Sequence, residues 1–144
     1  MLQPKKYKFR KCQKGRTRSI WSSLGLYGHE VRFGSYGIKA VDSGRVTAHQ
    51  LESCRLMLRW ILGRGLDKAI WLRVFPDLPI SKKPAEVRMG KGKGNVDKWA
   101  VRIKRGQILY EMRGISNHDA IKSVKNLNSK LPIKVSLAVN SFRK

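Results

Sequence analysis

The chain has 144 residues and carries 32 Lys and Arg against 9 Asp and Glu, which gives a formal net charge of +23 at pH 7. This length suits one domain with extended segments, and so large a positive charge opposes compaction unless a polyanion neutralises it, which favours nucleic acid as the partner. The apolar fraction of 41% excludes a wholly disordered basic tail. No apolar run approaches the roughly 18 residues that a membrane span needs, so we expect no membrane partner.

Residues 1–28 form a basic block that we predict to be an extended RNA-binding arm. Tyr7, Phe9 and Trp21 are interleaved with its cations, and rings can stack on bases while cations contact phosphates. We expect the arm to be disordered in the free protein and ordered on RNA; a solvated, mobile tail is the alternative. The predicted contacts are the cations between residues 5 and 18, among which no acid occurs: Lys5, Lys6, Lys8, Arg10, Lys11, Lys14, Arg16 and Arg18.

Residues 29–75 show the first signs of a folded domain. Two short strands, 29–33 and 36–41, are predicted on either side of a tight turn at Gly34 and Ser35. A helix begins at Thr47 and ends at Gly63, and a strand over 69–75 ends at Pro76. The apolar face predicted for this helix consists of Ala48, Leu51, Cys54, Leu58, Ile61 and Leu62.

The polar flank of the same helix carries Arg55 and Arg59, which we predict to face outward, free for phosphate. Glu52 is expected to form a surface ion pair on this helix. The tryptophans on predicted elements, Trp60, Trp71 and Trp99, are expected to pack in the core or on the sheet.

Residues 76–98 contain three prolines and three glycines and predict a long loop, of a length that is usually functional in a compact domain. Its glycines lack the spacing and flanking elements of a Walker A or Rossmann motif. Alternating glycine and lysine instead permits close backbone approach to a phosphate chain; a flexible solvated loop is the alternative. The residues predicted to face this polyanion are Lys82, Lys83, Arg88, Met89, Gly90, Lys91, Gly92, Lys93 and Gly94.

The remaining chain predicts a hairpin, a helix and a last strand. Strands around Trp99–Ile103 and Ile108–Met112 are expected to pair across a turn at Gly106. Ser116 and Asp119 resemble a capping box, and Pro132 is expected to end the helix. The helix face is predicted to be Ala120, Ile121, Val124, Leu127 and Leu131, and the last strand to alternate Ile133, Val135, Leu137 and Val139. Residues 29–144 therefore predict a single α+β domain, with two helices on a mainly antiparallel or mixed sheet.

Nothing in the pattern predicts catalysis, a metal or a cofactor. His29, His49 and His118 are far apart along the chain, and neither Cys12 nor Cys54 belongs to a CxxC pair. No Ser or Cys lies in a nucleophile motif. We therefore expect a protein that is not an enzyme, from a reducing compartment.

Four stretches, in order, resemble the universal uL-sixteen family of large-subunit ribosomal proteins in its bacterial type, over residues 1 to about 139. They are MLQPKKYKFRKCQKGR, FGSYGIKAVDSGRVTAHQLES, IWLRVFPDLPISKKPAEVRMGKGKGNVDKW and ILYEMRGIS. The resemblance implies an α/β-hammerhead fold and a structural role on large-subunit rRNA beside the A site and the peptidyl-transferase region. It also implies neighbouring ribosomal proteins and A-site tRNA as partners. The predicted arm cations, Arg55 and Arg59 would then bind rRNA, and the predicted loop residues would face rRNA or tRNA. The resemblance further implies that the long loop reaches toward the tRNA cleft and helps to position tRNA, and that Arg88 is hydroxylated in bacterial relatives.

The sequence departs from the usual bacterial pattern in two places. Residues 19–30 differ from the Gly-rich and polar segment that usually follows the arm, and residues 117–131 are poor in alanine. This drift favours a mitochondrial ribosome, in the matrix, with the bacterial cytoplasm or a plastid as alternatives. The rival functions are a free-standing RNA-binding or RNA-modifying protein and a DNA-architectural protein, the latter supported only by charge.

Overall fold

In the computed structural model, residues 2–13, 15, 28–63, 65 and 69–140 are described. Lys14, Arg16, Arg18 and Trp21 of the predicted arm lie outside these ranges. Two helices and two antiparallel sheets confirm the α+β prediction. The elements are β1 (Tyr36–Ala40), β2 (Gly44–Thr47), α1 (Ala48–Leu62), β3 (Ala69–Leu72), β4 (Leu78–Lys82), β5 (Asn95–Ile103), β6 (Ile108–Arg113), α2 (Asn117–Asn128) and β7 (Val135–Val139).

The strands form two sheets rather than one. The first has the order β3-β6-β1-β7 and the second the order β2-β5-β4, and every neighbouring pair is antiparallel. The predicted hairpin between β5 and β6 is therefore wrong, because these strands belong to different sheets. Five of the six residues of β6 are buried, which indicates that both faces of this strand are covered, whereas residues 95–99 of β5 are exposed or only partly buried.

The predicted strand over 29–33 is also wrong. The backbone N–H groups of Arg32, Phe33 and Gly34 donate to one oxygen, Oε2, of the Glu111 carboxylate at 3.0, 2.6 and 2.9 Å. These donors are therefore not available to a partner strand, and β1 pairs instead with β6 and β7. The strand that follows β1 is β2, which the sequence did not predict.

The first helix agrees with its prediction at both ends. Thr47 is the N-cap and forms a complete capping box with Gln50, and Gly63 follows the last turn with φ of 66°. Cys54 is fully buried on the predicted face, and burial raises the pKa of its thiol to about 11. Trp60 contradicts its prediction, because it is 77% exposed.

The second helix begins at its predicted cap but ends early. Ser116 Oγ accepts the N–H of Asp119 at 3.1 Å, and α2 ends at Asn128 rather than at Pro132. The reason is local: the Asn128 amide exchanges two hydrogen bonds with the backbone of Val135, at 2.8 and 3.2 Å, and so fixes the turn into β7. Ile121 is 57% exposed rather than part of the apolar face.

Most of the predicted 76–98 loop is a β-hairpin. β4 pairs with β5 from Leu78 opposite Ala100 to Lys82 opposite Asn95, so the connecting loop is only 83–94. Pro79 is compatible with a strand here because β4 is an edge strand.

The predicted strand over 69–75 is shortened to β3, which ends at Leu72. Within the described ranges, no helix is long and apolar enough to cross a membrane.

Candidate RNA interface

The hairpin presents its connecting loop to solvent. Residues 82–93 are all exposed, and Met89 is 98% exposed. Gly90, Lys91 and Gly92 have φ of 100°, 55° and 75°, a conformation that glycine adopts freely and that lysine adopts at a cost of roughly 1 kcal/mol. No atom lies within 4 Å of where a Cβ would stand on either glycine. These glycines therefore serve the backbone turn and leave it open to a partner.

The base of the hairpin is tightly built. A Cβ placed on Gly94 would stand 2.4 Å from the carbonyl oxygen of Lys82, so the two strands approach each other as only glycine permits. On the same side, Lys83 Nζ donates to the carbonyl oxygen of Gly90 and closes the loop on itself. The exposed tip thus projects from a defined neck.

The arm lies against this second sheet. Lys11 Nζ donates to the carbonyl oxygen of Lys93 at 2.6 Å, and Lys93 Nζ donates in return to the carbonyl oxygen of Cys12. Farther along, Arg45 Nη2 donates to the carbonyl oxygen of Gly15 at 2.6 Å. The structure therefore brings the predicted arm and the predicted loop together.

An aromatic contact joins the beginning of the arm to the same sheet. The rings of Tyr7 and Trp99 meet edge to face with centroids 5.2 Å apart, a favoured geometry for an aromatic pair. The other predicted arm cations, Lys5, Lys6, Lys8 and Arg10, are exposed. Lys8 Nζ lies 5.5 Å from the centroid of the Phe9 ring. These contacts leave the predicted disorder of the free arm untested.

Few of the cations are paired with acids. Across the described ranges, the Lys and Arg ion pairs are Glu52 with Arg55, Glu111 with Arg73, and Asp97 with Lys98 at 3.9 Å. The described cations of the arm and those of the connecting loop 83–94 therefore have no carboxylate partner within 4 Å. Their positive potential is neutralised by solvent ions or by a polyanion.

The two cations predicted on α1 are not equivalent. Arg55 Nη2 lies 2.6 Å from Glu52 Oε1; this hydrogen bond lowers the pKa of Glu52 and raises that of Arg55. The ion pair expected for Glu52 is thus present, and Arg55 is partly occupied by it. Arg59 is exposed in the last turn and is available for phosphate.

Sequence reasoning missed Arg45 and Arg102, which stand opposite each other in β2 and β5. Directly opposite residues of an antiparallel pair point to the same face of the sheet, and both side chains approach Gly15 of the arm. The sequence signal for a strand around Arg45 was weak, because β2 is short and contains a glycine. No group of three His, Cys, Asp or Glu residues that could hold a metal occurs in the part of the chain that is described.

An exposed hairpin and a basic arm, joined on one sheet and largely free of acids, define a protein that binds nucleic acid. Comparison with known sequences is more specific. The chain belongs to the ribosomal protein L16p/L10e family, whose family model matches residues 4–138. Over 135 residues it is 50% identical to the large ribosomal subunit protein uL16 of Buchnera aphidicola subsp. Cinara cedri (strain Cc). The aligned part covers 93% of each chain. The resemblance noted from the four sequence stretches is thereby confirmed.

Proposed function

We propose that the protein is a structural constituent of the large ribosomal subunit, is not an enzyme, and binds large-subunit rRNA through the arm, Arg59 and the β4–β5 hairpin. One observation carries the proposal: hydrogen bonds of Lys11 to Lys93 and of Lys93 to Cys12 join the arm to the hairpin, which brings cations without acid partners from both segments together. The name of the 50% identical relative, a large ribosomal subunit protein, supports it.

We further propose that the hairpin tip approaches A-site tRNA. With about six residues in each direction and ~3.3 Å per residue, a fully extended loop 83–94 would reach at most about 20 Å beyond the last paired residues of β4 and β5. Arg88, Met89 and Lys91 lie on this tip and are exposed. An arginine can donate two parallel hydrogen bonds to one phosphate, and a lysine adds a compact positive charge. An exposed methionine offers a polarisable contact for a base or sugar.

Binding of a large-subunit rRNA fragment tests the first part. Replacing Arg88 and Lys91 by Ala should reduce affinity, and each lost phosphate contact should flatten the plot of log K against log salt by about 0.7 to 0.9. The matched control replaces Lys122 and Lys125 of α2, two cations outside the proposed interface. Equal losses in both variants would mean that net charge alone determines binding and would refute the assigned surface.

Reconstituted subunits test the role at the A site. Particles that carry Arg88→Ala with Met89→Ala should assemble normally but bind aminoacyl-tRNA more weakly at the A site, because the arm still anchors the protein. Normal tRNA affinity would contradict a role in tRNA placement. Failure of assembly would assign the tip to rRNA anchoring instead.

We propose that the ribosome concerned is of bacterial type. The relative compared is bacterial, and it gives no support to the mitochondrial location that the second helix favoured. Cell fractionation, followed by mass spectrometry of purified large subunits, identifies the compartment. The same spectra test whether Arg88 is hydroxylated.

A further inference from the structure

A cavity of about 460 Å³ lies between the arm and the hairpin. Its walls come from three separate parts of the chain: Cys12 and Gln13 of the arm, Arg45 of β2, and residues at both ends of the loop 83–94. Its volume is within the range of small-molecule pockets, about 300 to 1,000 Å³. The cavity exists only because the arm is held against the sheet.

One side of the cavity is cationic. Arg45, Lys83 and Lys93 line it, and none of the three is paired with a carboxylate in the described part of the chain. Arg45 donates through Nη2 to the carbonyl oxygen of Gly15. Lys83 and Lys93 each donate to a backbone carbonyl oxygen, and Lys93 Nζ also lies 3.4 Å from Gln13 Oε1. A guanidinium has five N–H donors and an ammonium three, so all three cations keep donors for a further acceptor, and charge-assisted hydrogen bonds from them would stabilise an anion in the cavity.

The rest of the lining is largely apolar. Leu78, Pro79 and Ile80 of β4 belong to it, together with Ser81 and Gln13. Such a surface suits a flat, mostly apolar ring that has polar atoms on its rim. A nucleotide combines a ring of this kind with a phosphate, and unstacked bases are the parts of RNA that proteins recognise in pockets.

We propose that this cavity receives one unstacked nucleotide of the bound RNA, with its phosphate at Arg45, Lys83 and Lys93 and its base on Leu78 and Ile80. The inference rests on the proposed function, which supplies the RNA, and deepens it by naming a site for a single base. It also assigns a role to β2, which lies across β5 from β4 and contributes Arg45 to the lining of the cavity.

Cys12 provides a direct readout in the full-length protein, because it lines the cavity and is partly exposed, whereas Cys54 is buried and serves as the unreactive internal reference. The probes are the four nucleoside 5′-monophosphates, inorganic phosphate and the free nucleosides. At about 10 mM, ten times a Kd of about 1 mM, a bound monophosphate should slow alkylation of Cys12 about tenfold.

Each outcome of this first measurement decides. Protection by at least one monophosphate, but not by phosphate or nucleoside, supports the site. Equal protection by inorganic phosphate means a simple anion site, and equal protection by nucleosides means an apolar cleft. The proposal takes the arm to lie on the sheet in the free protein, as in this structure, in place of the disorder expected from its sequence, so absence of protection means that the pocket is not formed. Each of these outcomes overturns the proposal. Lys83→Gln should raise the half-protecting concentration about tenfold, whereas Lys122→Gln on α2 should leave it unchanged.

A charge-neutral variant tests whether the nucleotide comes from RNA. Ile80→Trp fills the cavity and should weaken binding of the large-subunit rRNA fragment about tenfold. Ile121→Trp, a matched change at an exposed position of α2, should have no effect. Equal rRNA affinity for Ile80→Trp and the parent would overturn the proposal while the rRNA-binding function stands; absence of rRNA binding by the parent would refute the proposed function itself.

Discussion

The buried carboxylate of Glu111 offers a sharp test of what holds the fold together. It is fully buried in β6, accepts three backbone N–H groups from residues 32–34 through Oε2, and pairs through Oε1 with Arg73, whose side chain is 16% exposed. One side chain thus ties the segment before β1 to the segment after β3. We expect Glu111→Gln to destabilise the domain strongly although it changes the side-chain volume very little.

The magnitude follows from these contacts. If the Gln carbonyl keeps the three N–H groups, its amide N–H groups face the Arg73 guanidinium, and a largely buried cation loses its partner. Removing one partner of a buried ion pair costs about 3 to 5 kcal/mol, and the three hydrogen bonds also lose the charge on their acceptor. We therefore expect the free energy of unfolding to fall by about 4 kcal/mol and Tm by roughly 12 °C.

Urea denaturation measures this cost, and the chain contains its own control. Glu52→Gln removes the same charge from an ion pair whose side chains are 36% and 38% exposed, and such pairs contribute about 0 to 1 kcal/mol. Arg73→Met added to Glu111→Gln should restore part of the loss, because no buried cation is left unpaired. A loss below about 1 kcal/mol for Glu111→Gln would refute the reasoning.

Four further outcomes are expected. Ser116→Ala should cost about 1 kcal/mol in urea denaturation, because it removes the N-cap of α2. Trp60→Ala should change the free energy of unfolding by less than about 0.5 kcal/mol. Leu58→Ala, at a fully buried position of the same helix, should lower it by about 2 to 5 kcal/mol. Equal costs for the two variants would place Trp60 in the core. The pKa of the Cys54 thiol is about 11 in the folded state against an ordinary 9.0, so its contribution to stability is complete below pH 9 and is lost as the pH rises toward 11. The unfolding free energy of the parent should therefore fall more steeply over this interval than that of Cys54→Ala, by up to about 1.4 kcal/mol per pH unit, and parallel curves would contradict this. Gly94→Ala should disturb the neck of the hairpin, seen as faster amide exchange in β4 and weaker rRNA binding, because its Cβ would collide with backbone of the facing strand.

The candidate interface was only partly accessible from sequence. Clusters of cations along the chain identified the arm and the loop, because runs of like charge without acids are visible in any local window. Arg55 was predicted to be an RNA contact together with Arg59. The ion pair of Arg55 with Glu52 makes the two arginines different. Arg45 was missed because its importance comes from a position opposite Arg102 and beside Gly15, which are distant in sequence.

Local rules were sufficient for the elements whose signals lie within a few residues. The cap at Thr47, the stop at Gly63 and the apolar spacing of Leu51, Cys54 and Leu58 determine α1, because capping and helical periodicity are properties of adjacent turns. Charge and the four motif stretches likewise indicated RNA binding and the family. These conclusions needed no knowledge of which strands meet.

Only the tertiary structure decided how the strands divide into two sheets. Alternation predicted β5 and β6 but not their separation, because the choice of partner depends on which faces become buried when distant segments meet. The same holds for residues 29–33, which form no strand because the backbone N–H groups of residues 32–34 bind Glu111 instead. The cavity between Cys12, Arg45 and Lys93 arises in this way too, since it is formed by contacts between residues up to 81 positions apart, and such contacts leave no periodic signal in the sequence.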